Sequence, residues 1–329
     1  MSLFESLTPQ QDTEATVDAA LRDGELALDT TEAELELELG KRLAQVTVPS
    51  LSHDDFTFDK EDQLGSGSSG AVYAGTFNKM PVAVKMVMYN RKEEVKTAVA
   101  REAATMASFS DCPYVVHLYG QRLGKERAYL VMEQLPLTLQ QYASLTDPAS
   151  ARTLPTFDKV VVDLLQDVTE AMALLHARRV LHHDLKGENV LVSAGSGRTR
   201  PMAKLADFGL ARGMGTTTVI GAVAGTPAFL PPEYHSTGRY TPACDVFSYG
   251  MTVWEALHGA SPFAEISEPL KVGKALVAGE RPPVDAAVRA RHPKLLALAE
   301  RCWATSVADR PTFASLASSY LFLTLEGDE

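Results

Sequence analysis

The amino-acid sequence predicts an α+β fold in two lobes, because a strand-rich first half is followed by a helix-rich second half. Five short strand-like runs precede residue 137, and one helical stretch at about 92–108 interrupts them. Beyond residue 137 helices dominate, and in 157–176 apolar side chains recur at the spacing of a buried helical face. The predicted strands are 56–64, 71–77, 82–87, 115–118 and 128–132, and the apolar face comprises Val161, Leu164, Val168, Met172 and Leu175.

The composition is ordinary for a globular protein. The chain has 329 residues, 45% of them apolar, which leaves room for roughly two domain-sized units. Its three cysteines, Cys112, Cys244 and Cys302, are odd in number and far apart, which favours reduced thiols over a disulfide framework. The first residues lack the basic and apolar stretches of a secretory signal, and no apolar run approaches the ~20 residues that span a bilayer. We therefore expect a cytoplasmic protein.

Acidic residues are concentrated at the front of the chain. The net charge is −11, and residues 1–55 carry 13 acidic and 3 basic side chains, whereas the rest of the chain carries 29 and 28. An acidic segment on a nearly neutral body argues against nucleic acid or an anionic membrane as a partner.

This acidic segment contains one predicted helix. Thr31 and Glu34 have the spacing of a capping box, and four apolar residues then fall on one helical face, namely Leu35, Leu39, Leu43 and Val46. The alternation of Glu and Leu over 34–39 also fits a strand, but we favour the helix. Such a helix either docks on the folded body or remains a solvated extension, and the sequence leaves both possibilities open.

Two motifs in the second half have the residues that a phosphoryl-transfer site needs. The first is LHHDLKGENVLV at 181–192, and the second is ADFG at 206–209. Transfer from a magnesium nucleotide needs an acidic group at the attacking hydroxyl, a cation near the phosphoryl group and oxygen ligands for the metal. These roles would fall to Asp184, to Lys186, and to Asn189 with Asp207, respectively.

A glycine-rich segment and a lysine in the first half fit the same chemistry. Glycines in 65–70, between two predicted strands, allow backbone N–H groups to approach phosphate oxygens, although a flexible Gly/Ser linker also explains them. Lys85 ends the run VAVK on the third strand, and a buried lysine needs an anionic partner. Glu102 in the following helix supplies one, with the adjacent Arg101 as its alternative partner.

Over about residues 56–324 these motifs resemble those of the eukaryotic protein kinase superfamily. The resemblance implies a two-lobed kinase domain, with the first lobe and hinge at 56–136 and the second lobe at 137–324. Residues 1–55 would be an extension, partly helical or disordered, and 325–329 a short tail. It also implies ATP and Mg²⁺ as cofactors and proteins as substrates.

The resemblance assigns individual site residues. Lys85 and Glu102 would join Asp184 and Lys186 as catalytic residues. Met132 would be the gatekeeper, while the Glu133 carbonyl and the Leu135 amide would hydrogen-bond the adenine edge. The implied nucleotide-binding set is Leu64, Gly65, Ser66, Gly67, Ser68, Ser69, Gly70, Val72, Ala83, Lys85, Met132, Glu133, Leu135 and Leu191.

Further matches lie nearer the end of the chain. The run GTPAFLPPE at 225–233 is similar to the end of an activation segment, in which Glu233 would pair with Arg310. Asp245 would anchor the backbone of the catalytic loop. The tryptophan-containing runs around Trp254 and 302–303 resemble the tyrosine-kinase-like group.

The residue types at two positions indicate which substrate side chain accepts the phosphoryl group. Lys186 in the catalytic loop and Thr226 before a proline favour serine or threonine. The resemblance therefore implies a tyrosine-kinase-like enzyme that modifies serine or threonine.

Three positions depart from the family pattern. His183 stands where most such kinases have an arginine that pairs with a phosphate, so we expect little dependence on phosphorylation of the activation segment. Gly187 replaces a commoner proline or alanine and is expected only to loosen the loop. Asp184 and Asp207 are 23 residues apart, an unusually long separation that a surface loop at 193–201 can absorb.

Three alternatives stay open. The chain could be a pseudokinase that binds ATP as a scaffold or switch, although it keeps the lysine and both aspartates that pseudokinases usually lose. A small-molecule kinase of related fold is disfavoured by the segment at 225–233, which docks a peptide in protein kinases. Residues 1–55 could also bind a partner or inhibit the kinase domain.

Overall fold

A five-stranded antiparallel sheet forms most of the first lobe in the computed structural model, which describes residues 32–67, 70–89, 92–145, 155–195, 199–213, 217–218 and 225–325. Helix α1 (Glu32–Leu43) precedes the sheet, and helix α2 (Glu93–Ala107) follows its third strand. The strands are β1 (Phe56–Gly67), β2 (Gly70–Phe77), β3 (Met80–Met88), β4 (Leu118–Leu123) and β5 (Arg127–Glu133), in the spatial order β1-β2-β3-β5-β4.

Helices dominate the second lobe, which confirms the predicted two-lobed α+β arrangement. Its helices are α3 (Leu139–Ser144), α4 (Pro155–Ala177), α5 (Pro232–Thr237), α6 (Pro242–His258), α7 (Pro269–Val277), α8 (Ala286–Arg291), α9 (Pro293–Cys302) and α10 (Phe313–Leu325). Its short strands are β6 (Leu137–Thr138), β7 (Val180–Leu181), β8 (Val190–Val192), β9 (Ala203–Leu205), β10 (Arg212–Gly213), β11 (Thr217–Thr218) and β12 (Arg239–Tyr240). They form the small sheets β6-β8-β9, β7-β10 and β11-β12.

Two long helices form the core of the second lobe. All five apolar residues of the predicted face of α4 are buried, as the periodicity predicts. Almost the whole of α6 is buried as well, including Asp245 and Glu255. A central helix that carries two buried carboxylates can hold neighbouring loops only through hydrogen bonds, because a buried charge without partners is costly.

One predicted strand is displaced. The run 115–118 was expected to be a strand, but β4 begins only at Leu118. Val115 instead forms an isolated bridge with Leu205, and the Val116 N–H donates to the Leu205 carbonyl over 2.9 Å. Residues 115 and 116 therefore form β-type pairing with the second lobe and not with the five-stranded sheet.

The acidic segment forms the predicted helix, and the strand alternative is wrong. Leu39 and Leu43 are buried in the main apolar core, and Val46 packs against it. Thr31 and the side chain of Leu35 lie outside the described part of the chain. No helix among the described residues is both long and apolar enough to cross a membrane.

Candidate active site

Lys85 connects the two lobes. Its Nζ donates to Glu102 Oε1 over 2.7 Å and to Asp207 Oδ1 over 2.9 Å, and both Lys85 and Glu102 are buried. Burial alone would lower the pKa of Lys85, but the adjacent charges of Glu102 and Asp207 raise it above the ordinary value. Lys85 is therefore a fixed cation between strand β3, helix α2 and the segment after β9.

The pairing of β8 with β9 brings the two acidic motifs of the second lobe together. Val190 pairs with Leu205, and the Ala206 N–H donates to the Asn189 carbonyl over 2.9 Å. Asn189 and Asp207 therefore flank the same end of a short hairpin. Residues 193–195 and 199–201, which flank the centre of the predicted loop, lie at the other end of the hairpin, away from this junction.

Asp184 is held by side chains on both of its carboxylate oxygens. Asn189 Nδ2 donates to Oδ2 over 2.9 Å and to the Asp184 carbonyl over 2.7 Å. On the other side, the Thr226 amide and hydroxyl donate to Oδ1 over 3.2 and 3.1 Å. Lys186 Nζ lies 3.4 Å from Oδ2 and donates to the Thr226 hydroxyl over 2.8 Å. A carboxylate and an ammonium group therefore share one threonine hydroxyl.

The loop that carries Asp184 is fixed to α6 by Asp245. The His182 and His183 amides donate to its two carboxylate oxygens over 3.0 and 3.1 Å, and Tyr240 Oη donates over 2.7 Å. His176 Nε2 lies 2.9 Å away. Burial alone would raise the pKa of Asp245, but the hydrogen bond from His176 and the other donors lower it to about 2.

Comparison with known proteins agrees with this geometry. The family model described as protein tyrosine and serine/threonine kinase matches residues 58–320. The chain belongs to the protein kinase family.

Relatives in this family differ in the residue that they modify. The serine/threonine-protein kinase STY46 of Arabidopsis thaliana is 32% identical over 77% of this chain, and the non-receptor tyrosine-protein kinase TNK1 of Homo sapiens is 34% identical over 77%. The dual specificity protein kinase shkB of Dictyostelium discoideum is 28% identical over 84%. The chain spans only 42%, 38% and 41% of the length of these relatives, respectively.

The expected kinase nucleotide pocket maps to one face of the first-lobe sheet. Val72 is paired with Lys85, and Ala83, two residues before Lys85 on the same strand, is paired with Met132. Directly paired and alternate residues of a sheet lie on the same face. These four side chains therefore share the face from which Lys85 reaches Asp207.

The other expected nucleotide contacts lie on three further parts of the chain. Leu64 is half exposed on β1, Leu191 is half-buried on β8, and Leu135 is half-buried after β5. The Glu133 carboxylate accepts two hydrogen bonds from Lys204 Nζ, at 2.9 and 2.7 Å. Because the expected adenine contact uses the Glu133 backbone carbonyl, this ion pair does not compete with it.

The glycine-rich hairpin joins β1 to β2. Gly65, Ser66 and Gly67 pair with Val72, Ala71 and Gly70, while Ser68 and Ser69 lie outside the described residues. Gly70 has a φ of 130°, and an added Cβ would lie 2.6 Å from the Met86 carbonyl oxygen. At Gly65 and Gly67 an added Cβ would meet nothing within 4 Å. Only Gly70 is therefore required by the backbone of the hairpin itself.

The end of the kinase activation segment is fixed by an ion pair. Arg310 Nη1 and Nη2 donate to Glu233 Oε1 and Oε2 over 2.6 and 2.8 Å. This two-pronged geometry is the strong form of a charge-assisted hydrogen bond. It holds the segment beside α6, where Thr226 reaches Asp184.

His183 is neutral and enclosed. Its ring stacks on Tyr240 with centroids 3.8 Å apart, and its Nε2 has no hydrogen-bond partner within the described part of the chain. Burial lowers the pKa of His183 to about 4. The position that usually carries an arginine in this family therefore carries no charge at neutral pH.

The expectation that Gly187 only loosens the loop is wrong. An added Cβ would lie 2.5 Å from Glu255 Oε2, which accepts the Gly187 N–H over 2.8 Å. Gln140 Nε2 donates to the other oxygen of Glu255 over 3.0 Å. Burial raises the pKa of Glu255 to about 7. Glu255 was missed because only the absence of a side chain at Gly187 hints at its approach.

Arg101 does not compete for Glu102. Its guanidinium donates instead to Glu36 of α1, and the Glu36 carboxylate also accepts the Gly213 N–H over 2.6 Å. Glu36 was missed as well. Its partners lie 65 and 177 residues away in sequence, so no local pattern points to them.

Proposed function

We propose that this chain transfers the γ-phosphoryl group of ATP to serine or threonine hydroxyls of protein substrates. The observation that carries the proposal is the arrangement around Asp184, in which Asn189, Thr226 and Lys186 surround one carboxylate. Lys85 and Asp207, which are in direct contact, supply the second half of the machinery.

Each charged residue has a separate task in this reaction. Asp184 positions the substrate hydroxyl and accepts its proton at a carboxylate oxygen. Lys186 stabilises the negative charge that develops during transfer, and Lys85, held by Glu102, orients the α- and β-phosphates. Acceleration then comes mainly from placement and electrostatics, without a covalent intermediate on the protein.

The donor set fits ATP with Mg²⁺. Asp207 and Asn189 offer a carboxylate and an amide oxygen, the ligand types that Mg²⁺ prefers. Among the described residues no group of three or more His, Cys, Asp or Glu side chains could hold a metal ion alone. This agrees with an ion that is bound by one or two side chains together with substrate phosphates. When bound, the metal nucleotide supplies the phosphoryl group and neutralises phosphate charge.

The contact between Lys186, Thr226 and Asp184 favours serine or threonine as the acceptor. Lys186 Nζ donates to the Thr226 hydroxyl over 2.8 Å, and this hydroxyl donates to Asp184 Oδ1 over 3.1 Å, so both side chains lie directly beside Asp184. A small aliphatic hydroxyl needs to approach Asp184 closely, and this packed arrangement suits it better than a phenol. The relatives include kinases of all three specificities, so the acceptor is part of the proposal.

The division of the chain is also part of the proposal. We place the extension at residues 1–55, the kinase domain at 56–324 and the tail at 325–329. The burial of Leu39 and Leu43 supports docking of the extension on the kinase domain through α1. Three buried cysteines without disulfides support a reducing compartment such as the cytoplasm.

The test is magnesium-dependent phosphoryl transfer by the full chain, followed by identification of the phosphorylated residues. We expect phosphoserine or phosphothreonine on a mixed peptide substrate and on the chain itself. Asp184→Asn should lower the rate by about a hundredfold or more. Glu280→Gln, which alters an exposed carboxylate, is the matched control and should leave the rate unchanged.

Three outcomes would contradict the proposal in different ways. ATP binding without any turnover by the unaltered chain would favour the pseudokinase alternative. Phosphotyrosine as the main product would overturn the acceptor assignment. Transfer to a small metabolite but not to peptides would favour a small-molecule kinase.

A further inference from the structure

One carboxylate of the acidic extension connects two elements of the active site. Glu36 on α1 accepts the Gly213 N–H at Oε1 over 2.6 Å and is bonded by the Arg101 guanidinium at Oε2. Arg101 directly precedes Glu102 on α2, and Gly213 lies on β10, six residues after Asp207. Glu36 therefore links the helix that carries the partner of Lys85 to the strand that follows Asp207.

The rest of α1 is seated so that Glu36 has a fixed position. Leu39 and Leu43 follow Glu36 at helical spacing, and both are buried in the main core. At the other end of the helix, Arg42 Nη2 donates to the Arg178 carbonyl over 2.8 Å. Because these anchors hold the helix, the loss of the Glu36 charge weakens the link without removing the helix.

Two arginines, Arg101 and Arg212, interact with the charge of Glu36. Arg101 and Arg212 both line a cavity of about 220 Å³, together with Glu102, Phe208 and Gly209. Burial, followed by the charge of Arg101, lowers the pKa of Arg212, and the charge of Glu36 opposes this effect. The carboxylate of Glu36 therefore offsets part of the repulsion between Arg101 on α2 and Arg212 on β10.

The identity of residue 183 explains why such a carboxylate is needed. Kinase activation segments are often ordered by a phosphate that pairs with arginines from several elements. His183 is buried, neutral and stacked on Tyr240, so it offers no guanidinium for that purpose. Glu36 joins the Arg101 guanidinium of α2 to the backbone N–H of Gly213 with an ordinary carboxylate, which is present without any modification.

We propose that Glu36 is a positioning residue for phosphoryl transfer, which holds α2 and β10 together so that Glu102, Lys85 and Asp207 stay in contact. The contact is activating and constitutive, and it depends on the acidic extension. This inference rests on the proposed kinase function.

The test uses the full chain and four variants. Glu36→Gln removes the charge, and Glu38→Gln removes an exposed charge from the same helix as the matched control. Arg101→Gln and the double variant Glu36→Gln/Arg101→Gln complete a double-mutant cycle. All rates are measured at a temperature at which circular dichroism shows every variant folded.

We expect Glu36→Gln to lower kcat/KM by about tenfold, whereas Glu38→Gln should match the unaltered chain. Arg101→Gln should cause a comparable loss, and the double variant should be little worse than either single variant, because both act through one contact. Equal rates for Glu36→Gln and Glu38→Gln would overturn the proposal. So would a faster Glu36→Gln variant, which would make the contact inhibitory, or fully additive losses.

Amide hydrogen exchange tests the contacts of Glu36 without relying on kinase activity. Glu36→Ala, a further variant that removes the acceptor oxygen as well as the charge, should speed exchange at the Gly213 amide and in the peptides of α2, whereas Glu38→Ala should not. This readout stays informative even if the unaltered chain transfers no phosphate, since it reports the link itself. Unchanged exchange at Gly213 would overturn the inference independently of activity.

Discussion

Asp184 is oriented before any substrate arrives, because neighbouring side chains already bond both of its carboxylate oxygens. Thr226 contributes most on one side, since its amide and hydroxyl both donate to Oδ1. Its hydroxyl also accepts from Lys186. Thr226 therefore sets the relative position of Asp184, the proposed base, and Lys186.

Thr226→Ala tests this arrangement at the level of a single hydroxyl. We expect kcat to fall roughly 10- to 100-fold, because Asp184 and Lys186 lose their shared partner. Thr47→Ala, at an exposed threonine, is the control. A steady-state comparison that gives the two variants equal kcat values would show that the hydroxyl has no positioning role.

Glu255 predicts a pH dependence of stability. Burial raises the pKa of this carboxyl from 4.5 to about 7, so the folded chain binds a proton more tightly than the unfolded chain. The resulting stabilisation is complete below about pH 4.5 and is lost as pH rises through about 7.

The measurement is urea unfolding of the unaltered chain and of Glu255→Gln between pH 5 and pH 8. The free energy of unfolding of the unaltered chain should fall relative to the variant by up to roughly 3 kcal/mol over this range. A difference between the two proteins that is independent of pH would contradict the account.

At the scale of elements, α6 organises the second lobe from within. Asp245 near its start fixes the loop at 181–192, and Glu255 near its end fixes Gly187 in the same loop. The pKa values of the two carboxylates shift in opposite directions. Hydrogen-bond donors around Asp245 lower its pKa, whereas burial raises the pKa of Glu255. A buried helix thus holds the loop at two points, His182–His183 and Gly187.

The activation segment provides the prediction at this scale. Because His183 carries no charge, we expect the joint replacement of Thr216, Thr217 and Thr218 by alanine to leave kcat within about threefold of the unaltered chain. Full dephosphorylation of the chain should give the same result. A collapse of turnover in the triple variant would show that a phosphate on this segment is required.

The elements that the sequence predicts well are those whose signals are local. The apolar face of α4 follows from spacing alone, and Asp184, Asn189 and Asp207 stand in short motifs whose chemistry is specific. The run at 115–118 was misplaced because its partner, Leu205, is supplied by the other lobe. Glu36 and Glu255 were missed for the same physical reason, since each meets partners at least 65 residues away.

At the scale of the whole molecule, the two lobes meet at a lysine that is bonded by carboxylates from both. Lys85 comes from the sheet, Glu102 from α2 and Asp207 from the second lobe. The extension adds a second connection through Glu36, from α2 to β10. Both connections join α2 to the segment that contains Asp207 and β10, so the position of Glu102 relative to Asp207 depends on how the lobes are held together.

The most direct test is calorimetric titration of the full chain with ATP, carried out once with Mg²⁺ and once with a chelator in place of Mg²⁺. We predict that Mg²⁺ tightens ATP binding by about tenfold or more, and that Asp207→Asn abolishes this difference. Glu280→Gln should behave like the unaltered chain. ATP affinity that is independent of Mg²⁺, or a magnesium effect that survives in Asp207→Asn, would contradict the convergence of Lys85 and Asp207 on one metal-nucleotide site.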